Sequence, residues 1–285
     1  MFSYSTVIVK YLILLVILVV IEITIAMYLT FWRENFWNSI ASKKLDEFSL
    51  QILIFTILAL LFCFVAGMST YLLNLTAIEW RKQLNFKALD INNMDKTIIN
   101  YSQRVQEDCR LYPDLILNLI FGAIKSVIYI ITFSIALLLA FHWWFLLALV
   151  IYSIIGTAVA NYIAKKLLHL NYHSQNAEAT YRNEITINNI ASTTFPNCIF
   201  LMFGLAKNQK RLTYFQSFYN QLGIIFPLLL IAPMYFTTGM TLGMLMRLNS
   251  IAATILDNTS YGINQFSMIN NMRACRKRLK DIGVI

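Results

Sequence analysis

The feature that most constrains the fold is a set of apolar runs, four of which are long enough to cross a lipid bilayer. A helix needs about 20 apolar residues to span a hydrocarbon core about 30 Å thick. The four runs cover residues 7–31, 48–78, 115–141 and 143–164. Because backbone polar groups in lipid must be satisfied within the segment, each run is expected to form a transmembrane helix.

Two weaker runs complete a predicted set of six spans, at residues 215–236 and 240–263. The apolar part of the fifth begins only at Leu222, so this span is expected to include the aromatic residues from Phe215 onward. Pro227 and Pro233 predict a kink or a break in it. With 58% hydrophobic residues and a mean hydropathy of +0.61, the chain is predicted to be an all-α polytopic membrane protein.

The distribution of basic residues predicts the topology. The segments 79–114, 165–211 and 270–285 hold 17 of the 23 Lys and Arg residues. The positive-inside rule places all three in the cytoplasm, together with both termini. We therefore expect one transmembrane domain over residues 1–285, with a first span that is too long for a cleaved signal. This topology accounts for the net charge of +9 without a nucleic-acid partner.

The sequence argues against an enzyme. It contains no G-x-x-x-x-G-K-[ST] phosphate-binding loop, no G-x-S-x-G elbow and no convincing Ser/His/Asp set. The four cysteines have no metal-binding spacing, and His169 and His173 are interpreted as surface residues. We expect no metal, no cofactor and no nucleotide-binding domain.

The segment between the second and third spans is expected to be helical. Neither Gly nor Pro occurs from Glu79 to Tyr112, and helix-forming residues dominate. The two spans are therefore predicted to continue as helices beyond the membrane into the cytoplasm.

Two polar segments carry a resemblance to a known family. Residues 102–108 read SQRVQED and residues 177–184 read AEATYRNE. Both resemble segments of the SbmA/BacA family of bacterial inner-membrane peptide transporters, which is related in fold to the membrane domains of peroxisomal ABC half-transporters. Further similarity covers WRENFW at 32–37, the aromatic stretch at 208–220 and TLGMLM at 241–246.

The resemblance implies a type IV ABC-exporter-like arrangement of six helices that works as a homodimer in the bacterial inner membrane. It also implies import of cationic, proline-rich, microcin-like or modified peptides, driven by the proton gradient through alternating access. The chain departs from full-length members by lacking an N-terminal helix and residues between Asn220 and Pro227. Two alternatives therefore stay open: an ABC half-transporter membrane domain with a separately encoded ATPase, and a shortened relative that does not transport.

Ionisable residues within the predicted spans are the first group of candidate site residues. They are Glu22, Lys125, Asp257 and Arg247. A charge at the bilayer centre costs about 2.5–3.5 kcal/mol on insertion scales, so each should face a partner or a cavity. Lys125 could form a structural pair with Glu22 or Asp257; alternatively, the two acids line the cavity and take protons.

A second group of candidates lies in the segments that resemble the family. The acids Glu107, Asp108, Glu178 and Glu184 match positions where the helices extend towards the cytoplasm. The resemblance implies that they either carry protons or latch an inner gate to Arg104 and Arg182.

Overall fold

The computed structural model describes residues 6–92, 101–186, 194–281 and 283–285. Within these ranges every regular element is a helix: α1 Thr6–Ala41, α2 Leu45–Asn92, α3 Tyr101–Ala140, α4 Trp143–Thr186, α5 Thr194–Thr238, α6 Leu242–Thr259, α7 Tyr261–Asn264 and α8 Phe266–Asp281. Helices α1 to α5 are long and apolar enough to cross a membrane. The predicted all-α polytopic architecture is confirmed.

Four of these helices are much longer than a bilayer requires. Helices α2, α3, α4 and α5 contain 48, 40, 44 and 45 residues. At 1.5 Å per residue, α2 is about 72 Å long, more than twice the thickness of the hydrocarbon core. The predicted extension of the second and third spans beyond the membrane therefore agrees with their helix lengths.

Helix α5 continues through both of its apolar-run prolines. It runs from Thr194 to Thr238, so neither Pro227 nor Pro233 ends it, although either can bend it. The aromatic residues from Phe215 onward belong to the same helix. The short apolar run that begins at Leu222 thus lies in a helix that is long enough to span a bilayer.

The chain forms two compact units, Met1–Leu146 with Leu228–Ile285, and Leu147–Pro227. In the first unit, α6 packs against both α1 and α3, while α3 also packs against α2 and α8. Leu248, Ile251 and Ile255 of α6 are almost completely buried. Polar residues on the other sides of α6 dilute its apolar character, and α6 is not among the described helices that are long and apolar enough to cross a membrane. The sixth span stays a prediction.

Short connections in the first unit have local causes. Lys43, between α1 and α2, has a positive φ of 55°. Gly239, after α5, has a φ of +69°, a conformation that suits a residue without a Cβ. Thr241 then caps α6, since its hydroxyl accepts a hydrogen bond from the Met244 N–H at 3.2 Å.

The carbonyl of Leu256 explains why α6 ends where it does. It accepts hydrogen bonds from the Ser260 N–H at 3.1 Å, the Ser260 hydroxyl at 2.8 Å and the Thr259 hydroxyl at 2.9 Å. Hydroxyls bonded back onto a helix carbonyl compete with regular pairing and bend helices. A turn at Ser260 accordingly separates α6 from α7.

In each unit, a tyrosine side chain packs directly against a glycine of another helix. In the first, the Tyr261 hydroxyl donates to the Asn118 carbonyl at 3.2 Å, and a Cβ on Gly122 would lie 2.1 Å from that hydroxyl oxygen. In the second, a Cβ on Gly156 would lie 2.2 Å from the ring of Tyr219. Both glycines therefore allow a close approach that alanine would block.

Candidate functional site

A buried ion pair joins α1 and α3 within their apolar segments. The Lys125 ammonium donates a hydrogen bond to Glu22 Oε1 and lies 5.9 Å from the centroid of the Tyr129 ring. The Glu22 side chain is 4% exposed and that of Lys125 37%. Of the two pairs considered from the sequence, this structure forms Glu22–Lys125, in which the acid is the more enclosed partner.

An apolar cleft opens beside this pair. It has a volume of about 380 Å³ and lies between α1 and α3, with Ile23, Met27 and Ile128 among its lining residues. Lys125 is one turn before Ile128 on the same side of α3. The pair thus places a charged group at the border of an otherwise apolar surface.

Asp257 stands apart from the pair. It is exposed, on the side of α6 opposite to the buried Leu248 and Ile255. No ion pair of Asp257 is present among the residues that the structure describes. In the predicted sixth span, a carboxylate on an unpacked helix face is expected to face water, a substrate or another chain rather than lipid.

A second ion pair fastens α6 to α1. Arg247 Nη1 donates to Glu34 Oε2 at 2.8 Å, and the guanidinium carbon lies 3.7 Å from the centroid of the Phe31 ring. Asn38 Oδ1 accepts a hydrogen bond from the Gly243 N–H at 2.9 Å. Arg247 was expected to face a partner or a cavity, and its partner, Glu34, lies 213 residues away in the sequence.

The third ion pair joins α3 to α8. Arg278 Nη2 donates to Asp108 Oδ1 at 2.7 Å, and Arg278 Nε donates to the two carboxylate oxygens at 3.1 and 2.9 Å. Asp108 is 3% exposed, whereas 42% of the Arg278 side chain is exposed. The hydrogen bonds to Asp108 raise the pKa of Arg278, so the guanidinium stays charged at neutral pH.

A hydrophobic cluster surrounds this third pair. We call it the α2–α3–α8 cluster; its buried members are Leu84, Ala88, Cys109, Tyr112, Cys275, Leu279 and Val284. Arg278 Nη2 also lies 3.3 Å from the sulfur of Cys275. Burial raises the pKa of the Cys275 thiol to about 11, and the nearby Asp108 charge adds to this. The thiol is therefore neutral and unreactive at physiological pH.

The remaining candidates are placed less fully. Glu107 is exposed on α3 and Glu178 is half-buried on α4. Arg104, Arg182 and Glu184 lie outside the residues whose side chains the structure describes. The proposed latches to Arg104 and Arg182 stay predictions. The partner that Asp108 does have, Arg278, was counted in the sequence only as part of the basic tail.

The described residues contain no group of three or more His, Cys, Asp or Glu side chains that could hold a metal ion. Their chemistry is instead that of charged pairs between helices. Three such pairs connect α1 with α3, α1 with α6 and α3 with α8. They can fix helices to one another or, on protonation, release them.

Comparison with known proteins assigns this arrangement to a family. Residues 3–187, more than half of the chain, match the family described as ABC transporter transmembrane region 2. The chain belongs to that family. This ABC transporter transmembrane region is accordingly a multi-pass membrane protein and a membrane transporter component.

Several individual proteins are similar to it over most of its length. The inner membrane ABC transporter ATP-binding protein YddA of Escherichia coli (strain K12) is 26% identical, covering 94% of this chain and 55% of that protein. The chloroplastic ABC transporter D family member 2 of Arabidopsis thaliana is 24% identical, covering 88% of this chain and 39% of that protein. The chain thus spans about half, or less, of the length of these relatives.

These matches support the ABC-transporter part of the predicted resemblance. They agree with the expected relation to the membrane domains of ABC half-transporters. Membership of the narrower SbmA/BacA family stays a prediction, as do the peptide substrate and the proton coupling implied by it.

Proposed function

We propose that this chain is the membrane domain of a dimeric ABC half-transporter, which moves its substrate by alternating access. ATP would be hydrolysed by a nucleotide-binding module outside these 285 residues, either on the same polypeptide or on another. The observation that carries the proposal is the match over 94% of the chain to about half of a relative named as an ATP-binding ABC transporter protein. By analogy with that relative, we expect the nucleotide-binding module to correspond to the part of it that this chain does not match.

The helix lengths favour this function. A transporter driven from outside the membrane needs rigid elements that carry a displacement into the bilayer. Helix α2 exceeds the hydrocarbon core by about 40 Å, and α3, α4 and α5 exceed it by about 30 Å or more. The Asp108–Arg278 pair ties α8, which follows the α6 span, to the extended part of α3.

The basic segments give the orientation of this arrangement. The extended parts of α2 and α3 and most of α8 belong to the segments 79–114 and 270–285, which together hold 11 of the 23 Lys and Arg residues. We place them in the cytoplasm by the positive-inside rule, in a bacterial inner membrane, where an ATPase can reach them.

The test is to purify the chain from its host as it is expressed there and to reconstitute it in lipid nanodiscs. We expect a nucleotide-binding module to be present in equal amount and vanadate-sensitive ATP hydrolysis to depend on both parts. A preparation without such a module, which still takes up substrate in vesicles energised only by a proton gradient, would refute the proposal.

Proton-driven peptide import is a second candidate, favoured by the Glu22–Lys125 pair. The Glu22 carboxylate, 4% exposed within a span, is the counter-charge of the Lys125 ammonium. Protonation of Glu22 would free Lys125 and loosen α1 from α3. This coupling, with Asp257 as a further acid, fits the resemblance to the SbmA/BacA family.

The second candidate has its own test. The chain is expressed in a strain without a peptide importer, which is then exposed to a proline-rich cationic peptide with and without a protonophore. Sensitivity that disappears with the proton gradient supports proton-driven import, and Glu178→Gln or Glu184→Gln should then abolish uptake without loss of the protein from the membrane. Full uptake by both variants would rule out a proton-relay role for these two acids. Resistance throughout, in a preparation that also lacks ATP hydrolysis, would indicate a relative that does not transport.

A further inference from the structure

One side of helix α8 carries a cluster of exposed basic residues. Four exposed cations lie on it: Arg273, Arg276, Lys277 and Lys280. Successive helix residues are 100° apart, so the four fall within an arc of about 100°. We call this arc the α8 basic face. Cys275 and Leu279, which are buried in the α2–α3–α8 cluster, lie on the opposite side.

None of the four side chains of the α8 basic face forms an ion pair with a side chain that the structure describes; the side chain of Asp281 lies outside that set. Arg278, on the docked side of the helix, is held by Asp108 instead. Four like charges within one arc repel one another, which is an electrostatic cost to the isolated helix. An anionic surface along this face would remove that cost.

Contacts with α3 fix the depth of the face. Tyr261 contacts the carbonyls of Asn118 and Leu119, and Arg278 contacts Asp108, so α8 runs antiparallel to α3 and away from its apolar run. That run begins at Leu115, seven residues after Asp108, which places Arg278 about 10 Å beyond the hydrocarbon core.

The four cations are therefore close to the lipid headgroups. Arg273 is five residues nearer to the membrane than Arg278, and Lys280 is two residues farther away, so the face covers roughly 3 to 13 Å beyond the core. The headgroup layer is about 5–7 Å thick, and charges act across a further 8–10 Å of physiological solution. All four cations lie within this range.

We propose that the α8 basic face binds the phosphodiester headgroups of anionic lipids, and so anchors the end of the α6–α8 segment at the membrane surface. Clustered Lys and Arg residues next to a membrane helix attract anionic lipid, and the attraction adds up over the charges. The proposal holds whether ATP or a proton gradient drives transport. It explains why one side of α8 is docked by an ion pair while four cations on the other side have no ion pair among the described side chains.

Native mass spectrometry of the purified full chain tests the proposal. The chain in detergent is titrated with phosphatidylglycerol, with phosphatidylcholine and with soluble glycerol phosphate. We expect preferential binding of phosphatidylglycerol over phosphatidylcholine, little binding of glycerol phosphate, and a preference that falls in high salt. Each single neutralisation on the face should weaken phosphatidylglycerol binding by about three- to fivefold.

Matched variants distinguish lipid binding by the α8 basic face from an effect of net charge alone. The set R273Q/R276Q/K277Q/K280Q should lose most of the preference, whereas K82Q/K87Q/K207Q/K210Q removes as much charge and should retain most of it. R273K/R276K keeps the charge and should bind normally. Equal losses in the two glutamine sets would overturn the assignment to α8. An unchanged lipid preference with a failure to bind the nucleotide-binding module would assign the face to that protein instead.

Discussion

Removal of Arg278 should open the α2–α3–α8 cluster without unfolding the rest of the chain. Arg278→Ala takes away three hydrogen bonds, of 2.7 to 3.1 Å, from a carboxylate that is 3% exposed. Breaking a buried pair by removing one partner costs about 3–5 kcal/mol. Because 42% of the Arg278 side chain is exposed, water can partly replace it, and we expect about 2 kcal/mol here.

The buried cysteines supply the assay. About 2 kcal/mol corresponds to an increase of about 30-fold in the population of the open cluster. In a Cys63→Ser background, which removes the exposed thiol, Cys109 and Cys275 should react with N-ethylmaleimide about 30 times faster at neutral pH. Cys198 is buried in the other unit and serves as the internal reference, with labelling followed by peptide mass spectrometry.

The controls make this prediction refutable. Arg276→Ala changes an exposed neighbour on the opposite side of α8 and should leave the labelling rates unchanged. Asp108→Asn keeps an acceptor for Arg278 and should have a smaller effect, of about fivefold. Unchanged labelling of Cys109 and Cys275 in Arg278→Ala would refute the reasoning, as would an equal acceleration at Cys198, since that would indicate global unfolding.

Three further predictions concern stability in detergent. Gly122→Ala should destabilise the fold by about 1–3 kcal/mol, because its Cβ would lie 2.1 Å from the Tyr261 hydroxyl oxygen. Its control is Gly67→Ala, whose Cβ would have nothing within 4 Å and which should be neutral or stabilising. Thermal unfolding measures both. Lys125→Met should cost about 2 kcal/mol by leaving Glu22 unpaired, and adding Glu22→Gln should restore the melting temperature; no recovery would contradict a paired role. Because the pKa of Cys275 is about 11 in the fold against an ordinary 9.0, its contribution is complete below pH 9 and is lost as the pH rises to 11. Burial raises the pKa of Cys109 to about 11 as well, so Cys275→Ala should reduce that alkaline loss in melting temperature without abolishing it.

The sequence was sufficient for the helices because their signal is local. Long apolar runs and the absence of Gly and Pro from 79 to 112 predicted the spans and their extensions. The fifth and sixth runs gave weaker signals. In α6, Asp257 and the other polar residues on its remaining sides offset the apolar side that packs on α1 and α3.

The ion pairs were harder to predict because they depend on which helices meet. Glu22–Lys125 could be proposed since charged residues are scarce within the spans, and each needs a partner. Asp108–Arg278 joins residues 170 positions apart, and nothing in the sequence distinguished Arg278 from the other cations of the tail. Arg278 differs from the other cations in its position, because it lies at the edge of the docked side of α8 and the four others lie on the exposed side.

The length of α2 also determines how far its cytoplasmic end moves when the helix tilts. By the predicted topology, the part of this helix from Glu79 to Asn92 extends about 21 Å into the cytoplasm, so a tilt of about 5° within the bilayer moves its far end by about 2 Å. Such a rod works as a lever only where something holds it, and Leu84 and Ala88 lie in the cluster that the Asp108–Arg278 pair stabilises. The Arg278 guanidinium would thus determine how much of a small rotation of α2 becomes displacement of its far end and how much becomes bending of the helix.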